Sequence, residues 1–313
     1  KLISHLPRYA PLASKFGRVL NGIEQIALGR LIRQVFTGFS QYRTLPQWNN
    51  KPYFGLNVPR DRDAKSVYLI VDCFNRWFEP ENARAAESVL RKLGYEVIDI
   101  SLPDDARPLC CGRTFLSAGM VEEAREEAQR LINALRPALR SDFPIIGLEP
   151  SCLLTLRDEY GALFSKNEIE GLEKSVLLFH EFISNHLEKQ TRPLKMQSLP
   201  FQKVMYHGHC HEKAFGLASR IETVLEKIPN LKFEQVPGGC CGMAGSFGYE
   251  KEHYEISKKI GDVGPLPHIR DVEKNVIIVA NGTSCRHQFN DLTENKAIHM
   301  ARLINMTLDA SQN

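Results

Sequence analysis

At 313 residues, with 43% hydrophobic and 25% charged residues and a net charge of +3, the chain has the composition of an ordinary globular protein with room for two domains. The charge is too small to argue for nucleic acid, and no apolar run approaches the roughly 20 residues of a membrane-spanning helix. The opening residues do not read as a secretory leader, so the expected compartment is the reducing cytoplasm, where cysteine sets are metal or redox sites more often than disulfides.

The chain opens on Lys1 rather than Met, which reads as a piece of a longer protein. Residues 1–62 read as a helical linker or docking segment. Val19, Leu20, Ile23, Ala27, Leu31 and Val35 recur at helical spacing, with Arg18, Arg30 and Arg33 among them. Pro46, Pro52 and Pro59 follow in a polar stretch. Such a helix docks on the body of the protein or on an upstream domain; its arginines make a membrane-surface helix the alternative.

An α/β rhythm begins at residue 67. Val67–Val71 is an apolar strand ending at Cys73, Asn82–Leu93 a helix stopped by Gly94, and Glu96–Ile100 a strand leading to Cys110-Cys111-Gly112. Met120–Leu139 is a long charged helix, and Pro144–Leu148 a third strand leading to Cys152. Lys166–Glu188 reads as one or two helices and Arg192–Pro200 as a linker. The order then repeats: strand Lys203–Tyr206 to Cys210, helix Leu217–Ile228, strand Lys232–Val236 to Cys240-Cys241-Gly242, helix Glu250–Ile260, strand Val276–Ala280 to Cys285, and a closing helix Ala297–Leu308. The expected fold is α/β, with two tandem Rossmann-like units over residues 63–200 and 201–313 and mainly parallel strands.

The two units share out all eight cysteines as Cys73, Cys110, Cys111, Cys152 and Cys210, Cys240, Cys241, Cys285. Each cysteine follows a strand. Parallel strands place their carboxyl ends on one edge, where open α/β sheets bind ligands, so each set of four should gather at one spot. Neither a disulfide framework nor a set of core thiols predicts that placement, and adjacent cysteines are strained disulfide partners. Structural zinc favours short C-x-x-C pairs, absent here, and one tetrahedral ion accommodates a Cys-Cys doublet poorly. A cluster offers several irons to neighbouring thiolates. Gly112, Gly239 and Gly242 would let backbone pass close to it. Because Pro237-Gly238-Gly239 precedes the second doublet and Arg107-Pro108-Leu109 the first, the second set looks the better built for a cluster. The first is the candidate for zinc, a structural role or vacancy. His207, His209 and His211 alternate around Cys210. Period-two spacing would put them on one face, as alternative ligands, proton carriers or ordinary polar positions. Arg286-His287 and Arg157-Asp158 are candidate charge partners for a cluster, or solvated helix starts.

These motifs resemble the cysteine-rich CCG-domain family, which includes the CCG-bearing subunit of heterodisulfide reductase, the iron–sulfur subunit of glycolate oxidase and the C-terminal part of fused FAD-linked oxidases. Gly239-Cys240-Cys241-Gly242-Met243-Ala244-Gly245-Ser246-Phe247-Gly248 and Ala280-Asn281-Gly282-Thr283-Ser284-Cys285-Arg286-His287-Gln288 look most like the fused oxidases, which act on D-2-hydroxy acids such as D-lactate or D-2-hydroxyglutarate. The resemblance implies a [4Fe–4S] cluster in one or both sets, FAD and ferredoxin-like domains upstream or in a partner chain, and a quinone or soluble carrier as acceptor, with peripheral contact at the inner face of a membrane. The fullest family motif ends in C-x-x-C; here Glu149 and Gly282 stand at the first cysteine of that pair. Four cysteines per repeat suit an ordinary [4Fe–4S] cluster, whereas five suit the non-cubane clusters linked to heterodisulfide cleavage. The chain carries no GxGxxG after a strand and no P-loop of its own. It therefore reads as an electron-transfer part, with disulfide reduction at the cluster and a zinc-stapled scaffold as the alternatives.

Overall fold

A computed structural model describes residues 2–55, 65–100, 107–189 and 194–309; Pro59, Pro103 and the start of the expected 192–200 linker lie outside them. Among these residues three helices come first: α1 (Leu6–Lys15), α2 (Gly17–Gln25) and α3 (Ala27–Thr37). The expected helix over 19–35 is broken because Ile26 is extended, at φ −93° and ψ 130°. Helix α1 packs Leu6 and Ala10 on Trp77. Helices α2 and α3 instead leave Val19, Leu28, Val35 and Phe36 exposed. The chain beyond α3 then straps the body. Phe39 bridges to Glu250, Asn49 and Tyr53 N–H donate to the Trp77 and Arg76 carbonyls, and the buried Arg43 guanidinium donates to Gly248 O, Gln288, Ser257 and Asp291.

The first repeat runs β1 (Lys65–Ile70), α4 (Cys73–Trp77), α5 (Pro80–Lys92), β2 (Tyr95–Asp99), α6 (Arg113–Ser117), α7 (Val121–Arg140), β3 (Ile145–Gly147), α8 (Pro150–Thr155), α9 (Tyr160–Leu163), α10 (Leu172–Ser175), β4 (Val176–Leu178) and α11 (Phe179–Lys189). The second runs β5 (Lys203–His207), α12 (Cys210–Ala214), α13 (Ala218–Leu225), β6 (Lys232–Gln235), α14 (Tyr254–Asp262), α15 (Leu266–Arg270), β7 (Val276–Ala280), α16 (Thr283–Leu292), β8 (Ala297–Ile298) and α17 (Met300–Asp309). Each forms a four-stranded sheet, in the orders β2-β1-β3-β4 and β6-β5-β7-β8, and every pairing is parallel. The expected tandem α/β architecture is the one observed. In both sheets the first strand lies between the second and the third, so the connections leave it in opposite directions. That is the switch point at which open α/β sheets form a crevice.

The closing helices cross between repeats: α11 packs on α13 and α17 on α5. One apolar core therefore joins Val67, Val89 and Leu90 to Val204, Val224, Leu303 and Ile304. The two sheets are repeats in sequence, but their interior is common.

Candidate metal centre

Corresponding elements hold the two cysteine sets. Cys73 and Cys210 each open a short helix directly after the first strand of their repeat. Asp72 caps α4 by accepting from Phe74 and Asn75 N–H at 2.9 and 3.1 Å. His209 caps α12, where Glu212 answers by accepting from His209 N–H at 2.7 Å. The doublets sit in the turns that follow the second strands. Cys152 and Cys285 are the third residues of α8 and α16.

The four thiols of each set come together in the same order. Cys73 contacts Cys110, Cys110 contacts Cys111, and Cys111 contacts Cys152. Cys210, Cys240, Cys241 and Cys285 form the matching chain. Hydrogen bonds from Cys111 and Cys73 draw Cys110 well below the usual thiol range. Those from Cys210 and Cys241 bring Cys240 down to about 2, and Cys241, against the cost of burial, lowers Cys285. Each set thus contains a thiol ready to ionise, and the thiolate is the metal-binding form. The first sulfur of each doublet also accepts a backbone N–H, Gly112 to Cys110 at 3.3 Å and Gly242 to Cys240 at 3.4 Å; such bonds tune cluster potentials.

The glycines separate by role. Gly112 (φ +82°) and Gly242 (φ +95°) are left-handed, and a Cβ there would lie 2.6 Å from Ala124 O and 2.2 Å from Ser257 O. The doublet turn can pack on its neighbouring helix only without a side chain. Gly239 has open space around it. Its carbonyl accepts from Lys213 at 3.3 Å.

The three histidines do not share a face. The strand ends at His207, so the period-two pattern stops there and the next residues begin a helix. His207 is buried and contacts Cys285. His209 Nδ1 accepts from His211 N–H at 3.2 Å, so its Nε2 carries the proton and donates to Ser151 Oγ, also at 3.2 Å. His211 pairs with Asp158 at 3.3 Å. Arg286 is no solvated helix start. It is buried, bonds the carbonyls of Ala280 and Asn281, and holds Glu79 of the first repeat at 2.5 Å. Burial opposes ionisation of Glu79, and the Arg286 charge overrides it, holding the carboxyl below its ordinary range. Arg157 pairs with Glu181 at 2.9 Å.

The two departures from the five-cysteine motif face the joint between the repeats, which sequence reasoning could not foresee. Glu149 caps its own helix α8 by accepting from Ser151 N–H at 3.3 Å. Its other oxygen accepts at 2.7 Å from Thr283 N–H, at the start of α16. Gly282, the cap residue of α16, has no side chain to do this. Burial, and then the Asp72 charge, push Glu149 up to about 8. His209 in turn lies over Gly282, where a Cβ would meet its ring at 2.4 Å.

A cavity of about 450 Å³ opens beside the first set. Cys73, Cys110, Cys111 and Cys152 line one end, and Pro52, Phe54 and Trp77 the other. The converging soft donors, the N–H···S bonds and the side-chain-free turns all fit a thiolate-held cluster.

Two parallel sheets with paired cysteine crevices define a duplicated cysteine-rich α/β protein. The sequence profile of the CCG cysteine-rich domain matches residues 67–157 and again 204–290, and the chain belongs to that family. It is similar to one subunit (the third, C) of the anaerobic glycerol-3-phosphate dehydrogenase of Escherichia coli, at 25% identity over 98% of this chain and 76% of that one. D-2-hydroxyglutarate dehydrogenase of Pseudomonas putida is 29% identical over 79% of this chain, which spans only 23% of that enzyme. Lactate utilization protein A 1 of Bacillus mycoides is 23% identical over 76% of this chain and 96% of its own length. The alignment with the first of these takes in the opening helices as well as both repeats.

Proposed function

We propose that the chain is the iron–sulfur electron-transfer component of a flavin-linked dehydrogenase. It would take electrons from a partner FAD chain or domain and pass them to a quinone or another carrier. The observation that carries this reading is the convergence of four thiols, twice, in the same order on the same elements. Cys210, Cys240, Cys241 and Cys285 would hold one [4Fe–4S] cluster and Cys73, Cys110, Cys111 and Cys152 the other, with zinc in the first set as the alternative. Such a group supplies one-electron storage at a potential set by its hydrogen bonds and burial. The chain's own residues supply the rest. Gly112 and Gly242 donate N–H to the doublets, Arg286 sets positive charge beside the second set, and Glu149, Ser151 and His209 fix the distance between the two.

Relatives that are dehydrogenase subunits or domains support the oxidoreductase setting. Oxidation of the organic substrate belongs to the flavin partner, because hydride removal needs such a cofactor. No helix among the described residues is long and apolar enough to cross a membrane. Between residues 6 and 37 the chain has Arg8, Lys15, Arg18, Arg30 and Arg33 against the single acid Glu24. With the exposed apolar residues of α2 and α3, that pattern supports peripheral attachment at the cytoplasmic face of a membrane.

The test is iron, zinc and sulfide content after anaerobic purification, with visible and EPR spectra. Cys241→Ser should abolish or reshape the signal of the second set. Removing the four first-set cysteines should cost about half the iron; unchanged iron with lost zinc would make that site zinc. The chain alone should not oxidise D-lactate, D-2-hydroxyglutarate or glycerol-3-phosphate with a dye acceptor. Turnover by the chain alone would place catalysis in this part of the protein and refute the reading.

A further inference from the structure

We infer that the cavity beside the first cysteine set binds the ring of a lipophilic quinone, with the Trp77 indole N–H as donor to one quinone carbonyl. The inference rests on the electron-transfer reading and names where the acceptor docks.

At about 450 Å³ the cavity lies within the 300–1,000 Å³ or so of small-molecule sites. It runs well past the thiols. Its walls away from them are mostly apolar or aromatic and include Ile100, Leu109, Leu131 and Phe54. Trp77 also lines it, with its ring 3% exposed. Its Nε1–H is buried and has no acceptor among the described residues. A buried indole N–H nearly always has a partner, so a carbonyl oxygen from a bound ligand accounts for it. Phe54 stands edge-on to Trp77 at 5.7 Å and is 65% exposed, the position of a ring that closes over a flat ligand. Pro11 and Lys15 of α1 line the cavity, while Leu12 and Phe16 beside them are exposed. An apolar molecule therefore meets apolar surface at the cavity before it enters. A carbonyl acceptor, a flat apolar ring and contact with a redox centre together describe a quinone.

The chemistry balances without a bond to the protein. The quinone gains two electrons, delivered singly from the reduced iron–sulfur centre of the first set, which is oxidised and refilled from the flavin partner. It gains two protons from water entering beside Lys15 and leaves as the quinol.

The test uses the anaerobically purified, iron-loaded chain carrying Trp48→Phe, so that Trp77 is the only tryptophan. Dimethylnaphthoquinone is the probe, because its quinone ring has no free position for a thiol to add to. Saturable quenching of Trp77 fluorescence is expected. In equilibrium dialysis Trp77→Phe should weaken binding about 5-fold, the worth of one hydrogen bond. Phe54→Ala, an exposed change that leaves the fold in place, should weaken it about 3-fold. A chain that holds iron and accepts electrons from dithionite, yet shows no saturable quenching, overturns the quinone site and leaves the electron-transfer reading standing. Displacement of the probe by oxidised glutathione also overturns it, since the cavity would then be a disulfide site. A chain without iron overturns the electron-transfer reading, and quenching that survives there still supports the cavity as the quinone site.

Discussion

His180 shows how a single buried side chain sets the acid limit of the fold. It is 1% exposed, and its Nε2 has no hydrogen-bond partner among the described residues. Burial holds it down at about 3, from an ordinary 6.5. Below pH 6.5 the unfolded chain takes up a proton that the folded chain refuses. Its contribution is therefore complete above that pH and is lost as pH falls towards 3. Stability should fall by about 1.4 kcal/mol per pH unit from this group alone. Denaturant melts of His180→Gln at a series of pH values should show a slope shallower by that amount. An unchanged slope would mean that His180 protonates in the folded protein. Nothing in the sequence pointed to His180, because the group that bonds it, Asn281, lies far along the chain and donates to it at 3.1 Å.

At the scale of elements, the strands with strong apolar runs were legible, and so was the placement of a cysteine after each of them. The fourth strand of each sheet was not, because β4 has three residues and β8 two; both merge in sequence with the helices that follow. The histidine alternation misled for a related reason, since a period of two has meaning only while the strand lasts. The doublet turns are the most demanding elements. Gly242→Ala would force an alanine into left-handed backbone, costing about 1–2 kcal/mol, and drive its Cβ against Ser257 O. A loss of at least ~2 kcal/mol, with loss of metal from the second set, is expected in thermal melts and iron assays. Gly239→Ala, with open space around it, should stay within about 0.5 kcal/mol. Equal effects would show that the approach to the doublet, and not the turn after it, shapes the site.

The molecule as a whole is less divisible than its repeats suggest. Because α17 lies on α5, truncating a residue at the chain's end should loosen an element near its start. Ile304→Ala should cost about 3 kcal/mol and raise amide exchange in α5 as much as in α17. Exchange rising only in α17 would mean that the repeats are stable separately. The duplication was visible from the cysteine spacing alone. The crossing of the closing helices was not, because an amphipathic stripe tells that a helix is buried and not against which partner.

The joint at Glu149, Gly282 and His209 also bears on history. A protein made of two copies of one unit can ordinarily regain in either copy what it has lost. Here a cysteine restored at residue 282 would collide with the imidazole, and one restored at residue 149 would strip two helix starts of their shared acceptor. Each loss has been built over by the other half. The four-thiol state has become a one-way step, and a return to five would need compensating changes in both copies at once.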